Sequence, residues 1–217
     1  LPQLGEGVNA ALGAAFIARL LARLPLPLWI LWIASRADLH PPGLLPFGLD
    51  PARLVFIHPP DNAACLAAFE TALREGGAAA VVGEIAKFER TASRRLQFAC
   101  QSRGITGFVL RRFPYGRREP DREATAAVTR WCLAAAPSER EGREPGLPRW
   151  SVALTHARGG RPGAWIMEMS DDAGAPYLFR VVAALAGDTA STDRAASSGG
   201  RADLGTRASA GRLRLAG

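Results

Sequence analysis

The stretch LWILWIAS, residues 28–35, decides the fold class. It is a continuous apolar run of strand length, which is typical of a strand buried on both faces of a sheet. Before it, residues 4–24 read LGEGVNAALGAAFIARLLARL, a glycine-bearing loop that runs into a helix. Asn9 is the predicted N-cap of this helix, and Pro25 and Pro27 end it. A nucleotide-binding α/β domain presents its phosphate loop in this order.

The glycine-bearing loop lacks the side chains that a working phosphate loop needs. The motif G-x-x-x-x-G-K-[ST] uses its lysine to reach the phosphates and its hydroxyl to hold Mg²⁺. The stretch offers Gly5, Gly7 and Gly13 but has no lysine and no adjacent hydroxyl. We interpret it as a degenerate phosphate loop, that is, a degenerate Walker A motif. The helix after it is predicted to pack on the sheet through one apolar face: Leu12, Phe16 and Leu20.

Strands and helices continue to alternate after residues 28–35. Further buried strands are predicted at residues 53–60, 78–85 and 105–113. Asp61 is predicted to cap a helix that ends at Gly76, and a second helix is predicted over residues 88–103. This alternation predicts βαβ units, and therefore an α/β fold with a mainly parallel, twisted sheet flanked by helices.

After Pro114 the sequence changes in character. Short runs joined by turn signals follow, at residues 126–137, 149–160 and 164–170. They are typical of antiparallel strands, which we expect to extend the same sheet. Residues 1–186 are thus predicted to form one domain. From residue 187 to 217 the composition falls to mostly small and charged residues, which predicts a disordered, low-complexity tail.

Composition excludes several classes of protein. The 217 residues carry a net charge of +7, and Lys87 is the single lysine. Three scattered cysteines, Cys65, Cys100 and Cys132, predict neither a disulfide framework nor a zinc site, so a cytoplasmic location is expected. No stretch predicts a membrane span. The nucleophile motif G-x-S-x-G is absent from the sequence, and neither a metal site nor a cofactor is predicted.

Glu84 ends the predicted strand at residues 78–85. In nucleotide-hydrolysing α/β domains, the tip of a central strand often carries a carboxylate that holds Mg²⁺ or water. The alternative is a solvated or helix-capping glutamate, and the sequence offers no second metal ligand close to it. We favour the alternative.

Basic residues are densest between residues 87 and 118. The patch is predicted to meet either DNA phosphates or an acidic protein surface, and the alternative is an ordinary solvated helix face. Its members are Lys87, Arg90, Arg94, Arg95, Arg111 and Arg112, with Arg117 and Arg118 beyond them.

Several stretches in this order resemble the ImuA family, a RecA-like and SulA-like group associated with translesion DNA synthesis. The resemblance covers most of residues 5–170. Matching stretches include ALREGGAAAVVGEI (72–85), TASRRLQFACQSRGITGFVLRR (91–112) and GLPRWSVALTHARGGRPGAWIMEM (146–169). The specific pattern is the order DPARL (50–54), VVGE (81–84), SRRLQ (93–97) and RGGRPGAW (158–165).

The resemblance implies a RecA-like core without a competent phosphate loop. Members of the family act in damage-induced (SOS) mutagenesis as non-catalytic partners that bind RecA and ImuB, a polymerase-like protein, and that serve an error-prone DnaE-type polymerase indirectly. We therefore expect an adaptor without enzymatic activity. Two alternatives stay open: a weak ATP-binding RecA-like NTPase that uses Glu84 and the loop at residues 5–13, and a SulA-like inhibitor of the division GTPase.

Overall fold

The parallel sheet predicted from the first half of the sequence is present in the computed structural model. The structure describes residues 6–24, 28–87, 89–111, 126–139, 146–169 and 179–185. Its helices are α1 Glu6–Leu21, α2 Asn62–Glu75 and α3 Arg90–Arg103, with two short 3₁₀ helices at Pro41–Phe47 and Pro51–Arg53. Its strands are β1 Ile30–Ile33, β2 Leu54–Ile57, β3 Ala80–Glu84, β4 Thr106–Leu110, β5 Thr129–Ala136, β6 Arg149–Ala157, β7 Gly163–Met169 and β8 Phe179–Leu185.

Strands β1 to β4 form a four-stranded parallel sheet in the order β2-β1-β3-β4. The central strand β1 pairs on both sides, so that Ile30 lies between Leu54 of β2 and Ala80 of β3. Because successive side chains of a strand point to opposite faces, each strand contributes to two separate cores. One core contains Ile33 and Val81, packed against α2 and α3. The prediction of a buried parallel sheet flanked by helices is confirmed.

The second face of this sheet packs against α1 and the 3₁₀ helix Pro41–Phe47. Trp32 and Val82 belong to this core, together with Ala18 and Leu21 of α1. Leu44 joins them from the 3₁₀ helix, so an irregular connection covers part of the sheet that a second α-helix would otherwise cover. The three-layer arrangement of helices on both faces of a parallel sheet is therefore complete.

Strands β5 to β8 form a second, antiparallel sheet in the order β5-β6-β7-β8. The prediction that these strands extend the parallel sheet is therefore wrong. The physical reason is the packing of large aromatic side chains. Trp131, Trp150 and Phe179 pack against α1 and the neighbouring 3₁₀ helix, not against the edge of the first sheet. Trp150 lies 4.5 Å from Phe179, and Trp131 lies 5.5 Å from Phe16 of α1, ring centroid to centroid.

Helix α1 lies between the two sheets and is buried from both sides. Ala14, Ile17, Ala18 and Leu21 face the parallel sheet, whereas Leu12 and Ala15 pack with Trp150 and Val152 of β6. The prediction of a single apolar face is therefore incomplete. Leu12 and Phe16 contact the antiparallel sheet, and Leu20 is half-buried.

The predicted start of α1 is also wrong. The helix begins at Glu6, before the predicted N-cap Asn9, so Gly7 and Gly13 are helical rather than part of a loop. At Gly13 the helix lies close to the end of β4, because a Cβ there would collide with the Leu110 side chain. Gly5 lies outside the described residues. By contrast the predicted cap of α2 is confirmed, since Asp61 Oδ1 accepts a hydrogen bond from Ala64 N at 2.8 Å.

The described residues all belong to one unit, which extends to Gly187. A second unit, Asp188–Gly217, lies wholly outside the described residues, so the domain limits of 1–186 and 187–217 and the disordered tail stay predictions. Within the described ranges, no helix is long and apolar enough to cross a membrane.

Gly83→Ala tests the close packing of α2 on β3. An added Cβ would lie 2.6 Å from Cδ2 of the buried Phe69, so we expect a loss of about 1–3 kcal/mol in the free energy of unfolding, measured with urea. Gly43→Ala is the matched control, because its Cβ would meet only His40, at 3.6 Å. An equal loss in both variants would contradict this account of the packing.

Glu168→Gln tests the ion-pair network of the antiparallel sheet. Glu168 accepts hydrogen bonds from Arg149 Nε at 2.6 Å and Arg180 NH2 at 2.9 Å, and these two cations hold the pKa of its carboxyl below the ordinary value. A depressed carboxyl pKa stabilises the fold above the unfolded-state pKa, near 4.5, and that contribution is lost as the pH falls through the folded-state pKa. We expect Glu168→Gln to be less stable than the unmodified protein at pH 7 and the difference to shrink below about pH 4.5. A difference that grows on acidification would contradict this sign; urea unfolding at several pH values measures it.

Candidate functional site at the carboxyl edge of the parallel sheet

The strand order places a topological switch point between β1 and β3. From β1 the chain moves outward to β2, and from β3 it moves outward in the other direction to β4. In open α/β sheets, ligands bind in the crevice at the carboxyl ends of the strands that flank such a point. Ile33 and Glu84 end these two strands, so the region around them is the candidate functional site.

A hydrogen bond within the protein bridges the switch point. The indole N–H of Trp32 donates to Glu84 Oε1 at 2.8 Å, from β1 to β3. Trp32 is fully buried and Glu84 is half-buried. A buried indole N–H needs an acceptor, and this carboxylate supplies it. Glu84 therefore has a structural partner at the position where the sequence suggested either a metal ligand or a capping residue.

Cys65 of α2 lies beneath the same edge and is fully buried. Burial raises the pKa of its thiol, the carboxylates of Asp61 and Glu84 raise that pKa further, and hydrogen bonding with Ser35 opposes them in part. The thiol is therefore kept protonated, which makes it a poor nucleophile and a poor metal ligand. Among the described residues, no group of three metal-ligating side chains comes together.

A small cavity opens beside the switch point, at the ends of β1 and β2. Its volume is about 150 Å³. The His58 ring stacks on Phe56 with 6.1 Å between centroids, and its Nδ1 donates to the Ala34 carbonyl oxygen at 2.9 Å. Pockets for ligands of drug size measure roughly 300–1,000 Å³, so this cavity is smaller than such a pocket. The lining residues are Trp32, Ala34, Arg36, Ala37, Leu39, Pro41, Phe56 and His58.

The predicted basic patch does not form one uniform surface. Lys87, Arg90 and Arg94 are exposed. Arg95 points toward α2, where its NH2 lies 3.2 Å from Glu70 Oε2. Arg111 is half-buried and donates from Nε to the Ala86 carbonyl oxygen at 3.2 Å. Arg112 lies outside the described residues, as do Arg117 and Arg118. The structure thus groups Arg90 and Arg94 on one face of α3 and gives Arg95 and Arg111 internal partners.

Two further residues of this region were missed by the sequence reasoning. Asn62 accepts a hydrogen bond from Ala86 N and donates one to the Lys87 carbonyl oxygen, both at 2.8 Å, which ties the loop after β3 to the start of α2. Phe98 of α3 is 73% exposed and lies on the face that carries Arg94. The sequence could have indicated this exposure, because Phe98 does not share the helical spacing of the buried residues Ala92, Leu96 and Ala99.

The fold and the site define an α/β protein whose switch point is bridged by its own side chains. No protein-family model matches the chain. Two curated proteins do: protein ImuA from two strains of Caulobacter vibrioides is 44% identical over 163 residues, which cover 72% of this chain and 67% of that protein. The chain therefore belongs to the ImuA family. Among solved structures, SulA from Pseudomonas aeruginosa matches 45% of this chain and 82% of its own, with 32% identity and a TM-score of 0.40.

Glu84→Leu tests whether Glu84 has the structural role described above. The substitution leaves the buried Trp32 N–H without its acceptor, so we expect a loss of about 1–3 kcal/mol in the free energy of unfolding. Glu84→Gln retains an amide oxygen that can accept the same hydrogen bond and should lose less. Urea titration followed by tryptophan fluorescence measures both. Equal losses would contradict a role as acceptor and indicate that the charge itself stabilises the fold.

Proposed function

We propose that this protein is a non-catalytic adaptor of SOS-induced translesion DNA synthesis, which acts in the cytoplasm by binding RecA and ImuB. Membership of the ImuA family implies involvement in damage-induced mutagenesis, and the 44% identity to ImuA from Caulobacter vibrioides is the observation that carries the proposal. An error-prone DnaE-type polymerase would then be reached indirectly, through ImuB.

The geometry of the switch point supports a role without catalysis. The crevice where an α/β enzyme would hold its ligand is bridged by the Trp32–Glu84 hydrogen bond. The neighbouring cavity of about 150 Å³ is smaller than the pockets that hold ligands of drug size. Two glycines of the proposed degenerate Walker A motif, Gly7 and Gly13, lie in helix α1 and not in a loop.

We also propose that the α/β unit is a degenerate RecA-like core. RecA protomers assemble head to tail, and such heterologous interfaces repeat along an array. A related unit that lacks the nucleotide machinery could occupy one end of the array or associate with one protomer. This gives a physical route by which a protein without its own chemistry would modify RecA.

Binding of purified protein to RecA and to ImuB from the same organism tests this proposal. We expect association with each in biolayer interferometry, and with RecA both as free protomers and as filaments on single-stranded DNA with a slowly hydrolysed ATP analogue. An immobilised, unrelated α/β protein of similar net charge is the control for non-specific attraction, because a charge of +7 attracts acidic surfaces in general.

Absence of binding to both partners would contradict the adaptor role. Isothermal titration with ATP and Mg²⁺, followed by a phosphate-release assay, separates the enzymatic alternative. Clear binding with turnover that Glu84→Gln abolishes would assign an NTPase instead.

A further inference from the structure

The exposed face of α3 combines cations with an outward aromatic ring. Arg90, Arg94 and Phe98 follow one another at intervals of four residues and therefore form a row along one helix face, about 6 Å apart along the axis. All three are exposed, and Phe98 at 73% is the most exposed large apolar side chain of the described residues. Gln101 continues the same row and is also exposed.

Charge on this helix has one sign. α3 contains four arginines and no acidic residue. Arg95 forms an ion pair with Glu70 of α2, whereas Arg90 and Arg94 are exposed. Such a surface is complementary to a chain of regularly spaced negative charges.

The immediate neighbours of Phe98 along the helix face are charged or polar. Arg94 lies one turn before it, and Gln101 and Ser102 lie one turn after it, all exposed. A single ring among cations and hydrogen-bonding side chains is the arrangement that proteins use to stack an unpaired base while they bind its backbone.

We propose that the exposed face of α3 binds single-stranded DNA, with Phe98 stacking on an unpaired base and with Arg90 and Arg94 binding adjacent phosphates. A duplex does not fit this role, because its bases are stacked on each other and offer no face to the ring. The choice of DNA over RNA rests on the proposed function in damage-induced mutagenesis. Lys87, exposed just before α3, would extend the contact to a further phosphate.

Fluorescence anisotropy with a labelled oligothymidylate of roughly 15 nucleotides, at about 50 mM salt, tests the proposal. We expect the unmodified protein to bind this strand more tightly than a duplex or an oligouridylate of equal length. Phe98→Ala should weaken binding about 5- to 100-fold, and Phe98→Tyr, which retains the ring, should restore most of it. Phe98→Leu should behave like Phe98→Ala, because it retains apolar area but no ring.

The arginines supply a matched pair of variants on the same helix. Arg94→Ala should weaken binding and reduce the slope of log K against log salt by about 0.7, the contribution of one phosphate on a single strand. Arg95→Ala removes the same charge one residue further along, but from a side chain paired with Glu70, and should change both quantities much less. Phe98→Ala should leave the salt slope unchanged. All positions are exposed, and thermal melting checks that each variant folds.

Several results would overturn the inference. These are absence of binding to the single strand, equal or tighter binding to duplex or RNA, equal effects of Arg94→Ala and Arg95→Ala, and no effect of Phe98→Ala. If Phe98→Ala leaves DNA binding intact but abolishes association with RecA or ImuB, the surface is a protein interface and the proposal is wrong. Normal binding to those partners without DNA binding would overturn this inference alone and leave the proposed function standing.

Discussion

The burial of α1 between two sheets is the constraint on which the rest of the structure depends. One side of the helix, with Ala18 and Leu21, closes the core of the parallel sheet. The other side, with Leu12 and Ala15, packs against Trp150 and Val152 of the antiparallel sheet. A helix with apolar residues on two opposite sides is stable only when both sides are covered, so each sheet needs this helix and the helix needs both sheets. At Gly13, where α1 crosses Leu110, the absence of a Cβ allows the close approach.

The sequence predicted well wherever local pattern and burial agree. The inward positions Cys65, Phe69 and Leu73 of α2 are buried as expected, and the apolar run before Glu84 is a central strand. The sequence predicted poorly which element packs against a given apolar face. Alternation in β6 indicates that Trp150 and Val152 share a face, but cannot indicate whether a helix or another sheet covers it. The larger apolar residues of α1 predicted a single buried face. The alanines at positions 14, 15 and 18 were a signal that other elements pack around the helix.

The candidate site depended even more on tertiary contacts. Glu84 was identified from its place at a strand tip, which is a property of the sequence, but its partner Trp32 is 52 residues away along the chain. The pairing follows from strand order, because β1 and β3 become neighbours only when β2 lies on the far side of β1. The same contact explains why a glutamate is tolerated in a half-buried place: it accepts the hydrogen bond of an indole that the core has fully enclosed. A place that serves ligands in other α/β proteins here stabilises the sheet.

Hydrogen bonds from several elements also anchor the backbone that leads into α3. Asn62 fixes the backbone of Ala86 and Lys87, and Arg111 donates to the Ala86 carbonyl oxygen from the end of β4. Within the helix, the buried Ser93 accepts a hydrogen bond from Ala126 N at 2.8 Å. These contacts anchor the start of α3, while Arg90, Arg94 and Phe98 are exposed. A surface on a rigid element loses less conformational entropy on binding than a loop does. The face of α3 proposed to bind single-stranded DNA therefore belongs to a helix that several hydrogen bonds anchor.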